Sequence, residues 1–406
     1  MQERYTKEQM WTIPTQGTWG KKAENLYKNT QTILGCGFEV PHSLVIPFEY
    51  FQNTQGPGYW ILDDIQKEFP DCEFVAVRSN SPDEDLGERT PGLYTSAKLP
   101  HHNRRDCYES LERVLGSYFS REAKERRKKL GLEEKGMSLL VQEWVPALNS
   151  GCFSYLGYGG VLMYTNPTKG IESMIKPSLR KLTTDKEGKI KAPKEGWTTD
   201  EEAFTRRLMR LINHLPQVAN LGWELEFVRD LNMREYILQT TPIKKQERFQ
   251  VTKRRNIFQS SDVIGTGLFR TNGILYLPSG FISGIHELHL EEFDSAHKDY
   301  CLVTNRGTVI TGARTCGINP LPKIHNAKSL LCVSPSGYFE SVHSFASHVA
   351  TEIREREMCA LSGKFTGKLA NQMSGADSDN NCFYLETKLL IQADEIEQEA
   401  NVEVVQ

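Results

Sequence analysis

The sequence predicts a mixed α and β chain of two or three domains. Short apolar runs of alternating or continuous character recur at FVAVRS (Phe74 to Ser79), SLLVQEWV (Ser138 to Val145) and EYILQTTPI (Glu235 to Ile243), which is strand patterning. Between them lie stretches with helical spacing, such as Leu111, Val114, Leu115 and Tyr118, followed by the basic run Arg121 to Lys129. That run reads most simply as a solvated helix face. The length, 406 residues, exceeds one ordinary domain at roughly 100 to 200 residues each.

Composition narrows the function classes. Hydrophobic residues make up 38% and charged residues 25%, the mixture of a globular protein with a sizeable core. A net charge of −3 argues against bulk attraction to nucleic acid or an anionic membrane, so neither is expected as a partner. Small charged ligands stay open. The N-terminal MQERYTKEQM has no apolar core of a leader, and no run approaches the length of a membrane span, so a cytoplasmic location is expected. Nine cysteines are scattered from Cys36 to Cys382 with no CxxC pair, which suggests reduced thiols and neither a disulfide framework nor a zinc knuckle.

Along the chain, three separated clusters have the residue types of a nucleotide site. GKKAENL (Gly20 to Leu26) puts lysines beside a glycine just ahead of a helical stretch, where an ammonium and backbone N–H groups meet phosphate oxygens. VAVRSNSPDEDL places Arg78 at the end of a buried strand; its guanidinium suits a phosphate clamp, and pairing to Glu84 or Asp85 would explain it equally well. WELEFV alternates so that Glu224 and Glu226 share one strand face and Leu225 and Phe227 the other. Two carboxylates on one face call for a cation between them or open water around them, and magnesium is the natural hard-oxygen partner. The next strand puts Gln239 and Thr241 on a common face. The charged segment Lys244 to Arg255, after Pro242, reads as a linker. The expected organisation is a first domain over 1–245, a linker over 246–256, a smaller domain over 257–370 and a C-terminal tail over 371–406, acidic from Asp394.

Ten histidines offer a nucleophile that holds a phosphoryl group near neutral pH. The HELH spacing of His286 and His289 is not that of a zinc helix, and His101 with His102 sits in a polar loop. His348 stands at the start of a helix-like run, SHVATEIRERE, ahead of the strand-like MCALSG. Backbone N–H groups at a helix start favour a phosphate on the imidazole; a cap or core role is the bland alternative.

The order of these pieces resembles a known family. KKAENL, GFEVPHSLVIP, VAVRSNSPDEDL with TPGLYTS, MSLLVQEWV with NSGCFS, WELEF and YILQTTP follow the motif order of the nucleotide-binding domain of phosphoenolpyruvate synthase and pyruvate phosphate dikinase. The family pattern runs GGKGANL, VPPGFVIP, VAVRSSATAEDL with GQYET, VVVQ, DIEW and LYILQARP. The resemblance implies an ATP-grasp domain, with Lys22 and Arg78 as phosphate contacts. It makes Gln142, Glu143 and Val145 the adenine-side hinge, and Glu224, Glu226 and Gln239 the magnesium and phosphate end. AKSLLCVSP followed by ASHVATEIREREMCALSG is similar to the swivelling β/β/α phosphohistidine domain of the same family, and His348 falls on its phosphorylated histidine. The chain departs from the pattern in several places: Ala23 replaces a glycine, Thr241 replaces an arginine, the two glycines before the family histidine fall on Phe345 and its neighbours, and the GLGE loop has its nearest counterpart in GYGGVLMYTNP (Gly157 to Pro167), which lacks the glutamate.

After the histidine domain about 35 residues follow, against roughly 200 for the barrel that binds pyruvate in the family. The resemblance therefore implies a dikinase-type phosphotransferase without a pyruvate site. It uses ATP and Mg²⁺, passes phosphate through His348 to a small-molecule or protein acceptor, and releases AMP. Two other classes stay open: a degenerate nucleotide-binding regulator or scaffold, and an ATP-grasp ligase that makes an acyl phosphate.

Overall fold

The computed structural model describes residues 11–13, 19–52, 59–82, 94–100, 103–129, 131, 136–166, 178–192, 198–217, 220–252, 255–277, 293–304, 326–333, 353–354, 356–366, 369 and 383–405. The chain is mixed α and β. In order it forms β1 (Trp11–Thr12), α1 (Lys21–Gly35), β2 (Ser43–Ile46), α2 (Glu49–Gln52), α3 (Tyr59–Glu68), β3 (Phe74–Asn80), β4 (Ala97–Pro100), α4 (Arg104–Tyr118) and α5 (Arg121–Lys129). There follow β5 (Ser138–Glu143), β6 (Ala147–Tyr155), β7 (Gly159–Asn166), β8 (Ser178–Asp185), β9 (Ile190–Ala192), α6 (Thr199–His214), β10 (Leu221–Asp230) and β11 (Glu235–Lys244). The named elements that follow are strands: β12 (Phe258–Ile264), β13 (Gly267–Thr271), β14 (Gly273–Leu277), β15 (Tyr300–Thr304), β16 (Ala327–Val333), β17 (Cys359–Phe365), β18 (Phe383–Leu385), β19 (Lys388–Asp394) and β20 (Glu399–Val405). Among the described residues no helix is long and apolar enough to cross a membrane.

Two compact units divide the chain. The first takes Met1–Tyr155, Tyr164–Ser178 and Arg206–Ile243; the second takes Leu156–Met163, Leu179–Thr205 and Lys244–Gln406.

In the first unit, a five-stranded sheet has the order β1-β2-β5-β3-β4. β3 and β5 are antiparallel, with Ala76 opposite Gln142 and Arg78 opposite Leu140. Strand alternation sorts the two faces. Val75, Val77, Leu139 and Val141 pack with Ile61, Leu62 and Ile65 of α3 and Leu111, Val114 and Tyr118 of α4 in one core, each such burial stabilising by about 1.5–3 kcal/mol. Ala76, Arg78, Asn80, Ser138, Leu140 and Gln142 belong to the other face. The helices end for local reasons. Gly37, at φ +87°, closes α1: its N–H bonds Leu34 O and the Phe38 N–H bonds Ile33 O, a left-handed cap that glycine adopts without strain. Asn103 caps α4 by accepting the Asp106 N–H at 3.2 Å. β11, β10 and β6 lie side by side in this unit, and β10 is antiparallel to β6.

The second unit holds a six-stranded sheet, β12-β17-β16-β15-β14-β18, whose inner strands β14 to β17 are parallel, and a three-stranded sheet, β13-β19-β20. Both contribute to one core, with Val263, Tyr276, Val303, Leu331 and Leu361 from the larger sheet and Phe269, Leu389, Ile391 and Val402 from the smaller. Here the structure departs from a C-terminal tail and a free linker. Residues 388–405 form an antiparallel hairpin because Leu389, Ile391 and Ala393 alternate inward and meet Val402 and Ala400 across the strand pair. The segment expected as a linker lies along that hairpin. Phe249 N–H donates to Asp394 at 3.2 Å, Thr252 N–H to Gln392 at 2.7 Å, and Ile257 N–H to Val402 O at 2.7 Å.

Candidate functional site

The polar face of the first unit's sheet begins where α1 starts. Gly20, just before the helix, donates its N–H to Ser138 Oγ at 3.1 Å, and Ser138 Oγ in turn donates to Asn80 O at 2.7 Å. Asn80 accepts the Ala23 N–H at 3.1 Å and donates to Ser138 Oγ at 2.8 Å. This network explains the glycine: a Cβ on Gly20 would stand 2.0 Å from Asn80 O. Gly20→Ala is therefore expected to lower stability by about 1–3 kcal/mol, as overpacking does, read as a shift in a urea midpoint. Lys22 Nζ reaches Ser79 O and Ser79 Oγ, both at 3.2 Å. Its neighbour Lys21 pairs with Glu24 at 2.7 Å, and Lys21, then Lys28, hold the Glu24 carboxyl below its ordinary range.

Arg78 leaves β3 toward β10 and β11. Its Nη1 donates to Glu226 Oε2 at 2.9 Å and lies 3.4 Å from Gln239 Oε1. The pairing to Glu84 or Asp85 that the sequence left open falls on residues outside the described set; the described partner is Glu226, 148 positions away. Gln239 donates through Nε2 to Thr241 Oγ1 at 2.9 Å, a neutral hydrogen bond. Glu224 and Glu226 share a face of β10, opposite Ser154 and Cys152 of β6, while Leu225 and Phe227 are buried on the other. Ser154 Oγ donates to Glu224 at 2.9 Å, and Glu224 is only 8% exposed. A buried carboxylate requires such a donor or a cation.

The stretch expected as the hinge ends β5. Gln142, 1% exposed, donates through Nε2 to Ser43 Oγ at 3.3 Å and to Leu238 O at 3.5 Å, and its Oε1 is buried without a hydrogen-bond partner in the structure. Glu143 is exposed at the strand end, and Val145 is half-buried. Between them Trp144 bonds back through its N–H to Phe74 O at 3.2 Å, and Lys98 Nζ sits 3.7 Å from the Phe74 ring centre and 4.5 Å from that of Trp144.

Lys22, Arg78, Glu224, Glu226, Gln142 and Gln239 thus all lie in the first unit. Hydrogen bonds join Arg78 directly to Glu226 and Gln239. His348 lies outside the described residues, as do His101, His102, His286 and His289. Among the described residues no group of three or more His, Cys, Asp or Glu could hold a metal ion. Two carboxylates and the Gln239 amide oxygen are nonetheless hard donors, and they fit Mg²⁺, which keeps waters and takes phosphate oxygens, better than an all-protein cage. Sequence reasoning missed Ser79, Asn80, Ser138 and Ser154. Their small polar side chains on otherwise apolar strands were the available signal.

Residues 60–179 match the family described as pyruvate phosphate dikinase, AMP/ATP-binding domain. That span contains Arg78, Gln142, Glu143 and Val145; Lys22, Glu224, Glu226 and Gln239 lie outside it. No curated protein matches. Similar solved structures include D-alanyl-alanine synthetase A from Vibrio cholerae, 11% identical with a TM-score of 0.29 over 53% of this chain and 54% of that one. Cdc123 from Schizosaccharomyces pombe is 12% identical with a TM-score of 0.30, over 54% and 82%. Carboxyaminoimidazole ribonucleotide synthase from Aspergillus clavatus, complexed with ATP, is 9% identical with a TM-score of 0.30, over 54% and 45%. The chain spans about half of the synthetase it matches, 54% of its length. At this identity and TM-score the likeness bears on neither activity nor substrate.

Proposed function

We propose that the chain is an ATP-dependent phosphotransferase of the dikinase type, built on an ATP-grasp domain. Phosphate passes from ATP through His348 to a small-molecule or protein acceptor. The observation that carries this reading is the junction of Arg78 with Glu226 and Gln239, contributed by three strands and separated by 148 and 161 positions. The match of residues 60–179 to an AMP/ATP-binding domain supports it independently. Lys22 and Arg78 orient the phosphates, and Gln142, Glu143 and Val145 border the base. Glu224, Glu226 and Gln239 would hold Mg²⁺, which supplies charge neutralisation when bound. In the transfer, the imidazole nitrogen of His348 forms the bond to the β-phosphorus as the bond to the AMP oxygen breaks, and the γ-phosphate leaves to water or phosphate.

One observation favours a second reading, a nucleotide-binding regulator without turnover. Thr241 makes a neutral bond to Gln239 where the resemblance calls for a cation on the transferring phosphate. ATP labelled separately at the β- and γ-phosphates separates the two. β-Label that is acid-labile on the protein, accompanied by AMP and absent from His348→Ala, is the expected result. ATP binding with no label and no AMP, even with candidate acceptors present, would leave the regulator.

A further inference from the structure

We infer that Glu226 holds Arg78 away from nucleotide until a divalent cation takes the carboxylate, so that metal gates the phosphate site. This rests on the reading of the first unit as a nucleotide site and adds how that site is controlled. Arg78 is one of the two cations proposed to meet phosphate, yet its Nη1 is committed to Glu226 at 2.9 Å and faces Gln239 Oε1 at 3.4 Å. Both side chains are largely shielded, at 19% exposure for Arg78 and 27% for Glu226, so their attraction is screened less than that of a surface pair. An incoming triphosphate without metal meets a guanidinium whose charge Glu226 already offsets, and a further carboxylate, Glu224, that repels it. A hard divalent cation competes for the same Glu226 and Gln239 oxygens that Arg78 occupies. Its arrival relieves the repulsion and releases the guanidinium, so the cation and the nucleotide strengthen each other's binding through Arg78. Were the pair only a structural tie, removing the carboxylate would loosen the fold and gain nothing for nucleotide.

The test is binding of the β,γ-imido analogue of ATP, measured by calorimetry on the full chain with saturating magnesium and with a chelator. The unsubstituted chain is expected to bind at least about tenfold more weakly with chelator, a usual size for coupled sites. Because free ATP analogues favour magnesium anyway, the deciding comparison is Glu226→Gln with chelator, expected to bind about tenfold tighter than the unsubstituted chain with chelator. The gain must vanish when Arg78→Met is added, since Arg78 is the group released. If Glu226→Gln does not fold, Glu226→Ala opens the same latch and takes its place. Binding with magnesium, but no gain in either Glu226 variant with chelator, overturns the gate and leaves the nucleotide site standing. No binding even with magnesium overturns both.

Discussion

Glu395→Gln is expected to destabilise the second unit by about 3–5 kcal/mol, because it leaves a buried guanidinium without its counter-charge. Glu395 is fully buried and Arg354 is 8% exposed. Arg354 Nε donates to Glu395 Oε2 at 3.0 Å and Nη2 to Oε1 at 2.5 Å, while the Gly265 N–H supplies a further bond at 2.9 Å. The contact ties three distant stretches, β12's end, the residues before β17 and the hairpin turn. Burial alone would raise the Glu395 carboxyl; the Arg354 guanidinium outweighs it and holds the group below its ordinary range. A depressed carboxylate contributes stability that is present above the unfolded-state value and is lost as pH falls through the folded-state value. Acid should therefore loosen the second unit through this group, and Glu395→Gln should flatten that limb of the pH profile. Hydrogen exchange at β12, β17, β19 and β20 amides is the measurement, since it reads this unit alone. The double variant Arg354→Met with Glu395→Gln should recover most of the loss, as apolar replacement of a buried ion pair often does. Equal exchange rates in the single variant and the unsubstituted chain would show that the pair contributes nothing.

That pair also shows what the sequence could and could not reveal. Strand patterning located β3, β5 and β11 closely: FVAVRS, SLLVQEWV and EYILQTTPI correspond to Phe74–Asn80, Ser138–Glu143 and Glu235–Lys244, the second strand ending two residues before the expected Val145. Local alternation is enough there, because each strand has one face committed to a core. A short apolar strand or helix was legible before Asp394, where Lys388–Asp394 is a strand; the second strand of the C-terminal hairpin, Glu399–Val405, was lost behind its acids. Asp394 and Glu395 open the stretch expected as an acidic tail, yet Asp394 accepts the N–H groups of Ile396 and Glu397, both at 3.0 Å, and the Tyr158 hydroxyl at 3.1 Å, while Glu395 faces Arg354. Charge in a sequence indicates solvent unless a partner is known, and the partners here lie 41 and 236 positions away. The same limit applied to Arg78. Its position at the end of a buried strand was legible, whereas its pairing with Glu226 depends on how β10 meets β3, which no local pattern encodes. Where the chain's two units divide was likewise not a local property, since each takes in three separate stretches.

Arg78→Met is expected to reduce ATP turnover by about 10²–10³-fold, some 2.7–4 kcal/mol of transition-state stabilisation, while costing the fold only about 1 kcal/mol or less. The two magnitudes differ because the tie to Glu226 is one partly screened ion pair in the resting chain, whereas phosphoryl transfer depends almost wholly on charge compensation and positioning. Lysine should not rescue. A planar guanidinium presents paired donors to two phosphate oxygens and an ammonium presents a point charge, so Arg78→Lys should retain stability and recover little of the rate. A purely structural Arg78 predicts the reverse: Lys would restore both stability and turnover. Urea midpoints measured beside steady-state AMP release discriminate these outcomes. Stability retained in Arg78→Lys with turnover still depressed by two orders of magnitude would assign Arg78 to the chemistry, because charge and fold would be kept and only the paired guanidinium donors lost.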